Sequence, residues 1–435
     1  MGVKAMLARL AAGAPARCFP VVGRGAGDAG RWLRLAPEIT VVDSPRAADV
    51  LLVLGRFDDE MLRAVAGVHD AVPPPRGVVV WSPGGLRPAN WPFEDAVSVH
   101  DPAELPAAAR RVRDELLSGE RASSAEVLPD VDPAPWRGVG PFGQGGAGMT
   151  GGVPYGRPLA GRADDRDGLK LDQILVRVGP FLPSFPHGLM LDVKIQGDVI
   201  QEVSIPAAAA GIAAGTTDLF TAALTRPMPV ADLEVARARH HLVWLAEALR
   251  VSGLEAYGRR VLRLARTVRP QAAEPVDDLA IWLRRNVSLR WATGGVGVVS
   301  ASMAAGLPGG PVARASGDDR DARSLDPAYQ ELGFVPVVLE GGDALARWHL
   351  RIAEARQALD LAQRSGGSTT TPSGLVETPR GPADAGVSAS SAVVAMLPDL
   401  LVGMEWGDAV TTVVSLDIGM GEAPAPREAV AGRPS

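Results

Sequence analysis

A single cysteine, Cys18, limits the architectures open to this chain more than any other feature. One thiol cannot form an intramolecular disulfide, so the sequence does not encode a secreted disulfide scaffold. It cannot supply the four thiolates of an iron–sulfur cluster either. We expect Cys18 to be an inert, small apolar side chain. Because 435 residues exceed one ordinary hydrophobic core, two or three domains are predicted.

Charge and apolar patterning narrow the class of protein further. The net charge is −6, which argues against a nucleic-acid binder, because such proteins usually carry a basic face. Lys4, Arg9 and Arg17 interrupt the N-terminal apolar stretch, so no signal peptide is expected. No run of about 18 apolar residues occurs, so no transmembrane helix is expected. The sequence predicts a protein that is intracellular or that lies on a membrane without entering it.

The first part of the chain has the pattern of a parallel α/β domain. Apolar runs at 39–42 and Val50–Leu54 lie on either side of a Ser-Pro turn. The second run and Gly77–Trp81 are continuous apolar segments typical of strands buried on both faces. Residues 57–69 have the pattern of a helix, and another is predicted at roughly 103–118. Strand, helix and strand in this order indicate a βαβ unit.

A Gly/Pro-rich stretch, residues 119–165, is predicted to link two domains. It contains Gly143, Gly145 and Gly148 in the spacing G-x-G-x-x-G. A dinucleotide-binding motif needs a strand before it and a helix after it, and here coil and further glycines occupy those places. A soluble NAD-dependent dehydrogenase is therefore a minor alternative.

Beyond the linker, strands give way to helices. Residues 171–205 have the pattern of strands, and the two apolar segments on either side of Gly197 and Asp198 predict an antiparallel hairpin. Helices are predicted over most of 209–300 and over 342–364 and 387–415.

The helix that begins near Pro229 carries the most informative polar side chains. Helical spacing places Glu234, Arg237 and His241 on one face together with aliphatic residues, and His240 on the opposite side. If that face is buried, the three polar groups must satisfy one another or a partner group. They form either a functional site or a structural polar network.

Three other segments offer candidate site residues. His187 lies in a Pro-flanked loop before a strand, and Glu377 and Arg380 lie on a turn. The alternating charges of residues 311–323 predict a salt-bridge lattice on the surface. That lattice comprises Arg314, Asp318, Asp319, Arg320, Asp321 and Arg323. No HExxH, P-loop, G-x-S-x-G or paired Cys/His motif is present, so no metal site is predicted.

Several stretches together resemble one known family. PRAADVLLVLGRFDDEMLRAV and PPPRGVVVWSPGG resemble the iron–sulfur small subunit of complex I and nickel–iron hydrogenases, with residues 82–85 in place of its Cys-bearing loop. VGPFLPSFPHGLMLDVKIQGDVIQEV resembles the hairpin entry of the large, quinone-site subunit of complex I. His187 matches the second histidine of that motif, and Leu182 replaces the first.

The large-subunit resemblance continues along the chain. Glu234, Arg237 and His241 match the family's E-x-x-R-x-x-x-H-L helix, and GGPVARASG, YQELGF, EGGDALARWHLRIAEARQAL and VETPRG follow in order. WGDAVTTVVSLDIGMGE resembles the hydrogenase segment S-L-D-P-C-x-x-C without its cysteines, and residues 206–226 contain none where the first pair would fall. Without thiolates, hydrogenase activity of this chain on its own is not expected.

This resemblance implies an α/β N-terminal flavodoxin-like domain and an α+β large-subunit-like domain with a small antiparallel sheet and a helical bundle. The small-subunit-like domain without a cluster is predicted over 1–118 and the linker over 119–165. The domain that resembles the hydrogenase large subunit and the complex I quinone-site subunit is predicted over 166–422, and a disordered tail over 423–435.

The resemblance also implies a function. The chain is expected to be a subunit of a membrane-associated complex I-like or hydrogenase-related oxidoreductase complex, peripheral on the cytoplasmic face of the plasma membrane. Its expected partners are membrane proton- or ion-translocating subunits and an iron–sulfur subunit, not nucleic acid. It would bind no metal itself, with a quinone as the candidate ligand of a relict cavity. The residues implied to line that cavity are His187, Glu234, Arg237, His241, Glu377 and Arg380.

The alternative is a non-enzymatic scaffold or coupling subunit that retains the large-subunit fold. In either case the chain is at most one subunit of an NADH-quinone oxidoreductase-like enzyme, and it needs partners to act.

Overall fold

The computed structural model of the chain describes residues 13–85, 91–129, 160–165, 168–206, 219–271, 273–367, 369–372, 374, 376–383 and 389–419. The glycine motif formed by Gly143, Gly145 and Gly148 lies outside these residues, as do the predicted tail at 423–435 and most of the segment 206–226.

The first unit of the fold is a parallel sheet with helices on both faces. Its five strands lie in the order β2-β1-β3-β4-β5. The strands are β1 Ala16–Val22, β2 Ile39–Val41, β3 Val50–Leu54, β4 Gly77–Trp81 and β5 Val97–Ser98. The helices are α1 Gly27–Trp32, α2 Asp59–Ala71 and α3 Leu105–Ser118. The predicted strand–helix–strand unit is confirmed.

Alternation along the central strand explains why both faces of this sheet are covered. All five residues of β3 are buried. Leu52 and Leu54 pack toward α3, whereas Leu51 and Val53 pack toward α2, because successive side chains of a strand point to opposite faces. Asp58 begins α2 by accepting a hydrogen bond from the Met61 amide at 2.9 Å.

Strand β1 is an element that the sequence pattern did not predict. It pairs with both β2 and β3, so it is an interior strand of the sheet next to β3. Pro20 interrupts its apolar run, and proline is unusual in a central strand. Cys18 lies in this strand, fully buried, and burial raises the pKa of its thiol. The expectation of an inert apolar cysteine agrees with this position.

The chain just after α3 packs on the first unit. The amides of Val127 and Leu128 donate to the Asp70 carboxylate at 3.1 and 2.9 Å, and the Ser124 amide donates to the Arg76 carbonyl. The start of the segment predicted as a linker is therefore part of this packed surface.

The second unit begins with an antiparallel sheet of four strands in the order β6-β7-β8-β9. They are β6 Gly161–Asp164, β7 Lys170–Val178, β8 Leu191–Gln196 and β9 Val199–Ser204. The predicted hairpin over Gly197 and Asp198 is confirmed, and Gly197 has a positive φ of 63° that suits the turn. A bulge between Lys194 and Ile195 shifts the register.

Helices make up most of the rest of the second unit. They are α4 Leu219–Ala223, α5 Val230–Val251, α6 Glu255–Thr267, α7 Glu274–Arg285, α8 Val287–Thr293, α9 Ala301–Ala305, α10 Pro311–Arg314, α11 Pro327–Glu331, α12 Ala344–Ser365, α13 Ala389–Ala395, α14 Leu397–Leu401 and α15 Trp406–Leu416. Two short antiparallel pairs complete it: β10 Met228–Pro229 pairs with β11 Thr370–Thr371, and β12 Val376–Thr378 forms a hairpin with β13 Gly381–Ala383.

Helices α5 and α12 are the central pair of this unit. Trp244 contacts Trp348 with ring centroids 5.8 Å apart, and Val230 packs in one cluster with Leu361. These contacts show that the two helices run in opposite directions. Both helices carry buried charged residues among their aliphatic ones, so their interface is only partly hydrophobic.

The two units touch where the first unit meets α5. Trp32 packs against the hydrophobic core around α5, and Phe57 contacts Phe181 with ring centroids 6.1 Å apart. Arg250 at the end of α5 pairs with Asp43 at 3.0 Å. Within the described part of the chain, no helix is long and apolar enough to cross a membrane.

Two glycine-to-alanine substitutions test the packing of the first unit. A Cβ at Gly77 in β4 would lie 2.5 Å from Val112 Cγ1, so Gly77→Ala is expected to lower the free energy of unfolding by about 1–3 kcal/mol. Gly67, in the middle of α2, has open space around it, so Gly67→Ala is expected to raise stability by up to about 1 kcal/mol. Urea titrations of both variants measure the difference. Equal stability of the two would contradict the packing of β4 on α3.

Candidate functional site

The polar face of α5 is buried. Glu234, Arg237 and His241 are each at most 1% exposed. Arg237 Nε lies 3.1 and 3.2 Å from the two carboxylate oxygens of Glu234, and the Tyr329 hydroxyl donates to Glu234 Oε1 at 2.6 Å. Helical spacing therefore brings Glu234 and Arg237 into contact as expected, whereas His241 lies further along the same buried face and is nearest to Glu354.

Arg314 connects α12, the helix that packs on α5, to the rest of the network. Its Nε donates to Glu354 Oε1 at 2.8 Å, and its Nη1 donates to Glu377 Oε1 at 2.7 Å. The same Nη1 lies 3.0 Å from Asp321 Oδ2. Glu354 in turn lies 3.2 Å from His241 Nε2. One guanidinium thus contacts three carboxylates from three different segments.

Arg323 closes the network on its other side. It forms two hydrogen bonds to Asp321, at 3.0 and 2.8 Å, and a longer one to Glu234 at 3.3 Å. Arg237 Nη2 donates to the Glu377 carbonyl at 2.5 Å. The network therefore ties α5 to the segment after α10 and to β12.

The predicted surface lattice at 311–323 is wrong for three of its members. Arg314, Asp321 and Arg323 are buried, because the 3₁₀ turn Ala322–Leu325 carries the segment underneath α5 rather than along the surface. Asp318 and Arg320, at the tip of the segment, pair with each other. Alternating charges identified ion pairing, but they did not indicate burial.

Burial and neighbouring charges shift several pKa values in this network. Burial opposes ionisation of Asp321, but Arg323 and Arg314 outweigh it and lower its pKa to about 2. Glu354 is also held well below its usual pKa, again against burial, by Arg314 and His241. Burial and the Asp321 charge raise the pKa of Glu377. Burial lowers the pKa of His241 to about 4, so its imidazole is neutral at pH 7.

A second cluster surrounds Asp417 on another side of α5. His240 Nε2 lies 2.7 Å from Asp417 Oδ2, and Arg351 Nη1 lies 3.1 Å from the same oxygen. Arg380 donates to the Asp417 carbonyl at 2.9 Å. Asp417 has φ 54°, the only positive φ at a non-glycine position in the described part of the chain. Such a backbone marks a position that its surroundings hold firmly.

Together the two clusters balance in charge. Arg351 and Glu354 lie three residues apart on α12 and interact electrostatically, which joins the clusters. The carboxylates are Glu234, Asp321, Glu354, Glu377 and Asp417, and the guanidinium groups are Arg237, Arg314, Arg323, Arg351 and Arg380. Five of each sign, with neutral histidines, let the network be buried without a compensating ion.

His187 lies apart from these clusters, at the junction of the two units. The residue is exposed, and it interacts electrostatically with Glu247 on α5 and with Arg31, Arg34 and Arg250. Arg31 interacts in the same way with His240, whose pKa burial lowers to about 4. His187 and His240 therefore both lie toward the junction of the two units.

The six predicted site residues therefore fall into three groups. Glu234, Arg237, His241 and Glu377 lie together in the buried network, Arg380 lies beside Asp417, and His187 lies at the junction of the two units. Sequence reasoning missed several residues of the clusters. They are His240, Arg351, Glu354 and Asp417. Three others, Arg314, Asp321 and Arg323, were predicted on the surface but are buried. The repeated three- and four-residue spacing of charges on α12 was a signal that could have revealed Arg351 and Glu354.

A small cleft reaches the buried network from solvent. It encloses about 270 Å³, open solvent included, and its closed part has roughly the room of one water molecule. Its lining residues are Leu233, Ala322, Arg323, Asp326, Tyr329, Thr371, Val376 and Glu377. This cleft is too small for an organic ligand.

The residues present do not fit an iron–sulfur or nickel–iron centre. Cys18 is buried in β1, and the loops after β1, β3 and β4 carry no thiol. Main-chain hydrogen bonds between Arg24 and Arg56 tie the first two of these loops together. Among the described residues, no group of three His, Cys, Asp or Glu side chains is arranged to hold a metal.

Comparison with known proteins shows what part of the second unit is similar to. Residues 245–380 match the model of the respiratory-chain NADH dehydrogenase 49-kDa subunit family. One NADH-quinone oxidoreductase subunit of Salinispora arenicola is 39% identical over 103 residues, 23% of this chain and 27% of that protein. Another, from Streptomyces coelicolor, is 45% identical over 92 residues, 20% of this chain and 23% of that protein.

Part of the chain is thus similar to the 49-kDa subunit family, as the large-subunit resemblance in the sequence predicted. The match spans about a quarter of the length of these relatives. The membrane-bound sulfane sulfur reductase, an archaeal respiratory membrane complex, contains a chain that aligns with 58% of this one. That alignment covers 98% of the other chain at 18% identity and a TM-score of 0.42.

Removing the central guanidinium tests the buried network. Arg314→Met leaves Glu354, Glu377 and Asp321 without their shared counter-charge, so the free energy of unfolding is expected to fall by about 3–5 kcal/mol. The matched control is Arg162→Met, which breaks the exposed pair with Asp172 and is expected to cost less than about 1 kcal/mol. Urea unfolding compares the two. Similar losses of unfolding free energy in the two variants would show that burial does not strengthen the ion pairs of Arg314.

The pKa of His241 predicts an acid-sensitive fold. An unfolded histidine binds a proton near pH 6.5, whereas folded His241 does so only near pH 4. Between these values the unfolded state binds more protons, so stability falls as the pH is lowered. Between pH 7 and pH 5 the protonation of His241 is expected to lower the free energy of unfolding by about 2 kcal/mol.

His241→Asn is therefore expected to lose about 2 kcal/mol less than the wild type between pH 7 and pH 5, measured by urea unfolding at both pH values. His100→Asn, at an exposed position, is the control and is expected to keep the wild-type pH dependence. An unchanged pH dependence in His241→Asn would mean that the imidazole binds its proton at the same pH in the folded and the unfolded protein.

Proposed function

We propose that this chain is a subunit of a membrane-associated complex I-like or hydrogenase-related oxidoreductase complex. The observation that carries the proposal is the similarity of residues 245–380 to the 49-kDa subunit family. These residues include Arg314, Arg323, Glu354 and Glu377, so the matched region contains most of the buried network. The similarity to the family therefore falls on the same part of the chain as the network.

We further propose that the first unit is a flavodoxin-like, small-subunit-like domain without a cluster. The strand order β2-β1-β3-β4-β5 supports this, because it is the order of flavodoxin-like doubly wound sheets. Electrons for any redox reaction would then come from a cluster in a partner iron–sulfur subunit. The other partners would be membrane subunits that translocate protons or ions, at the cytoplasmic face of the membrane.

We propose that a recess at the junction of the two units is the small-molecule site, with a quinone as the ligand to test. His187 and His240 belong to different segments, and both interact electrostatically with Arg31. The single N–H of neutral His240 donates to Asp417, so His187 and the Arg380 guanidinium are the groups that would donate hydrogen bonds to a quinone carbonyl. In this proposal Asp417 positions His240 and Arg380 by contacting both.

A non-enzymatic scaffold or coupling role is the second candidate, and the buried network favours it. Glu234, Arg237, His241 and Glu377 are at most 2% exposed and are paired within the protein. Side chains so enclosed are unlike those of a ligand cavity, so they support a structural role. The two candidates differ in whether the recess binds anything.

Two measurements on the native complex test these proposals. Affinity purification of the tagged full chain from detergent-solubilised membranes is expected to recover integral membrane subunits and an iron–sulfur subunit. A monodisperse monomer without such partners would contradict membership in a complex. Membership alone leaves open whether the chain binds a ligand or acts as a scaffold.

Substitution in the recess makes that distinction. His240→Gln removes the imidazole that contacts Asp417, so quinone reduction by the complex is expected to fall at least about tenfold, the effect of about 1.4 kcal/mol in the transition state. His100→Gln, at an exposed position, is the control. Unchanged activity of a folded, assembled His240→Gln complex would favour the scaffold. Thermal melting of both variants verifies the fold.

A further inference from the structure

Helices α6, α7 and α8 carry a concentration of positive charge that the acidic composition of the chain conceals. Residues 255–291 contain eight arginines and four carboxylates, a net charge of +4, whereas the whole chain has −6. The arginines are Arg259, Arg260, Arg263, Arg266, Arg269, Arg284, Arg285 and Arg290. All eight are exposed.

The arginines lie on consecutive helices and the loop between two of them, and we call the exposed surface of residues 255–291 the basic face. Tyr257 near the start of α6 stacks on Trp282 near the end of α7, with ring centroids 4.5 Å apart. The two helices therefore lie side by side and run in opposite directions. Val261 and Leu262 on α6 pack inward with Leu283 on α7, so the arginines of α6 project outward.

Large apolar side chains are exposed beside the arginines. Trp291 is 84% exposed and Val287, one turn before it on α8, is 55% exposed. Ile281 on α7 is 41% exposed, and Tyr257 on α6 is 42% exposed. A nearly free tryptophan next to exposed aliphatic residues costs solvation free energy unless something covers it.

The positive charge of the basic face is largely uncompensated by the protein. Arg259 lies 3.9 Å from Glu255, and the structure gives the other seven arginines no ion pair within the described part of the chain. Arg284 and Arg290 both approach His349 on α12, so like charges converge at this end of the face. A surface of this kind favours an extended anionic partner.

We propose that the basic face binds directly to the surface of an anionic phospholipid bilayer, with Trp291 and Val287 entering the headgroup region. Arginines attract anionic headgroups, and tryptophan favours the membrane–water interface, so both features of the face are satisfied by one partner. Nucleic acid would match the charge but would leave the aliphatic residues uncovered. This proposal adds a lipid contact of the chain itself and does not depend on the proposed function.

Flotation of the purified full chain with vesicles tests the proposal. We expect binding to vesicles of phosphatidylcholine with one third phosphatidylglycerol, weaker binding at high salt, and no binding to pure phosphatidylcholine. The triple variant R284Q/R285Q/R290Q is expected to bind roughly a hundredfold more weakly, at about fivefold for each arginine. W291S is expected to bind about tenfold more weakly and to keep the salt dependence of the wild type.

Exposed positions away from the face provide matched controls. Arg162→Gln on β6 and Leu325→Ser, whose side chain is 73% exposed, are expected to bind like the wild type. Thermal melting shows whether each variant is folded. Equal binding to neutral vesicles, full binding by the triple variant, or binding to a double-stranded oligonucleotide without binding to phosphatidylglycerol vesicles would each overturn the proposal.

Discussion

The second unit depends on one buried guanidinium. Arg314 contacts Glu354, Glu377 and Asp321, which come from α12, β12 and the segment after α10. A buried arginine is favourable only when its charge and its donors are matched, so these segments are constrained to meet at this point. His241 approaches Glu354 from α5, which brings the fourth segment to the same place. The packing of the helical core follows from this electrostatic arrangement as much as from its aliphatic side chains.

The local parts of this arrangement could be predicted from the sequence. Helical spacing placed Glu234, Arg237 and His241 together, because residues three and four apart share a helix face. Apolar runs likewise predicted β3 and β4, and a Gly-Asp turn predicted the β8–β9 hairpin. All of these depend on interactions between residues close in the sequence.

The missed parts depend on long-range contacts. His240 and Asp417 are 177 residues apart, and Arg314 and Glu377 are 63 apart, so no local pattern pairs them. Alternating charges around Arg314 are equally compatible with a surface and with a buried network, and only tertiary packing decides between the two. Strand β1 was missed for a related reason, because its two neighbouring strands outweigh the local effect of Pro20.

Charge balance explains how so many charged groups can be buried in the second unit. Five carboxylates and five guanidinium groups neutralise one another in the interior, so no bound cation is needed to compensate them. Neutrality does not satisfy every donor, because Arg237 and His241 keep buried side-chain nitrogens without a hydrogen-bond partner. The other side of α5 carries His240 and Glu247, which pair with Asp417 and Arg250. Because the electrostatic interaction between Arg351 and Glu354 joins the two clusters, a change in one cluster is expected to affect the other.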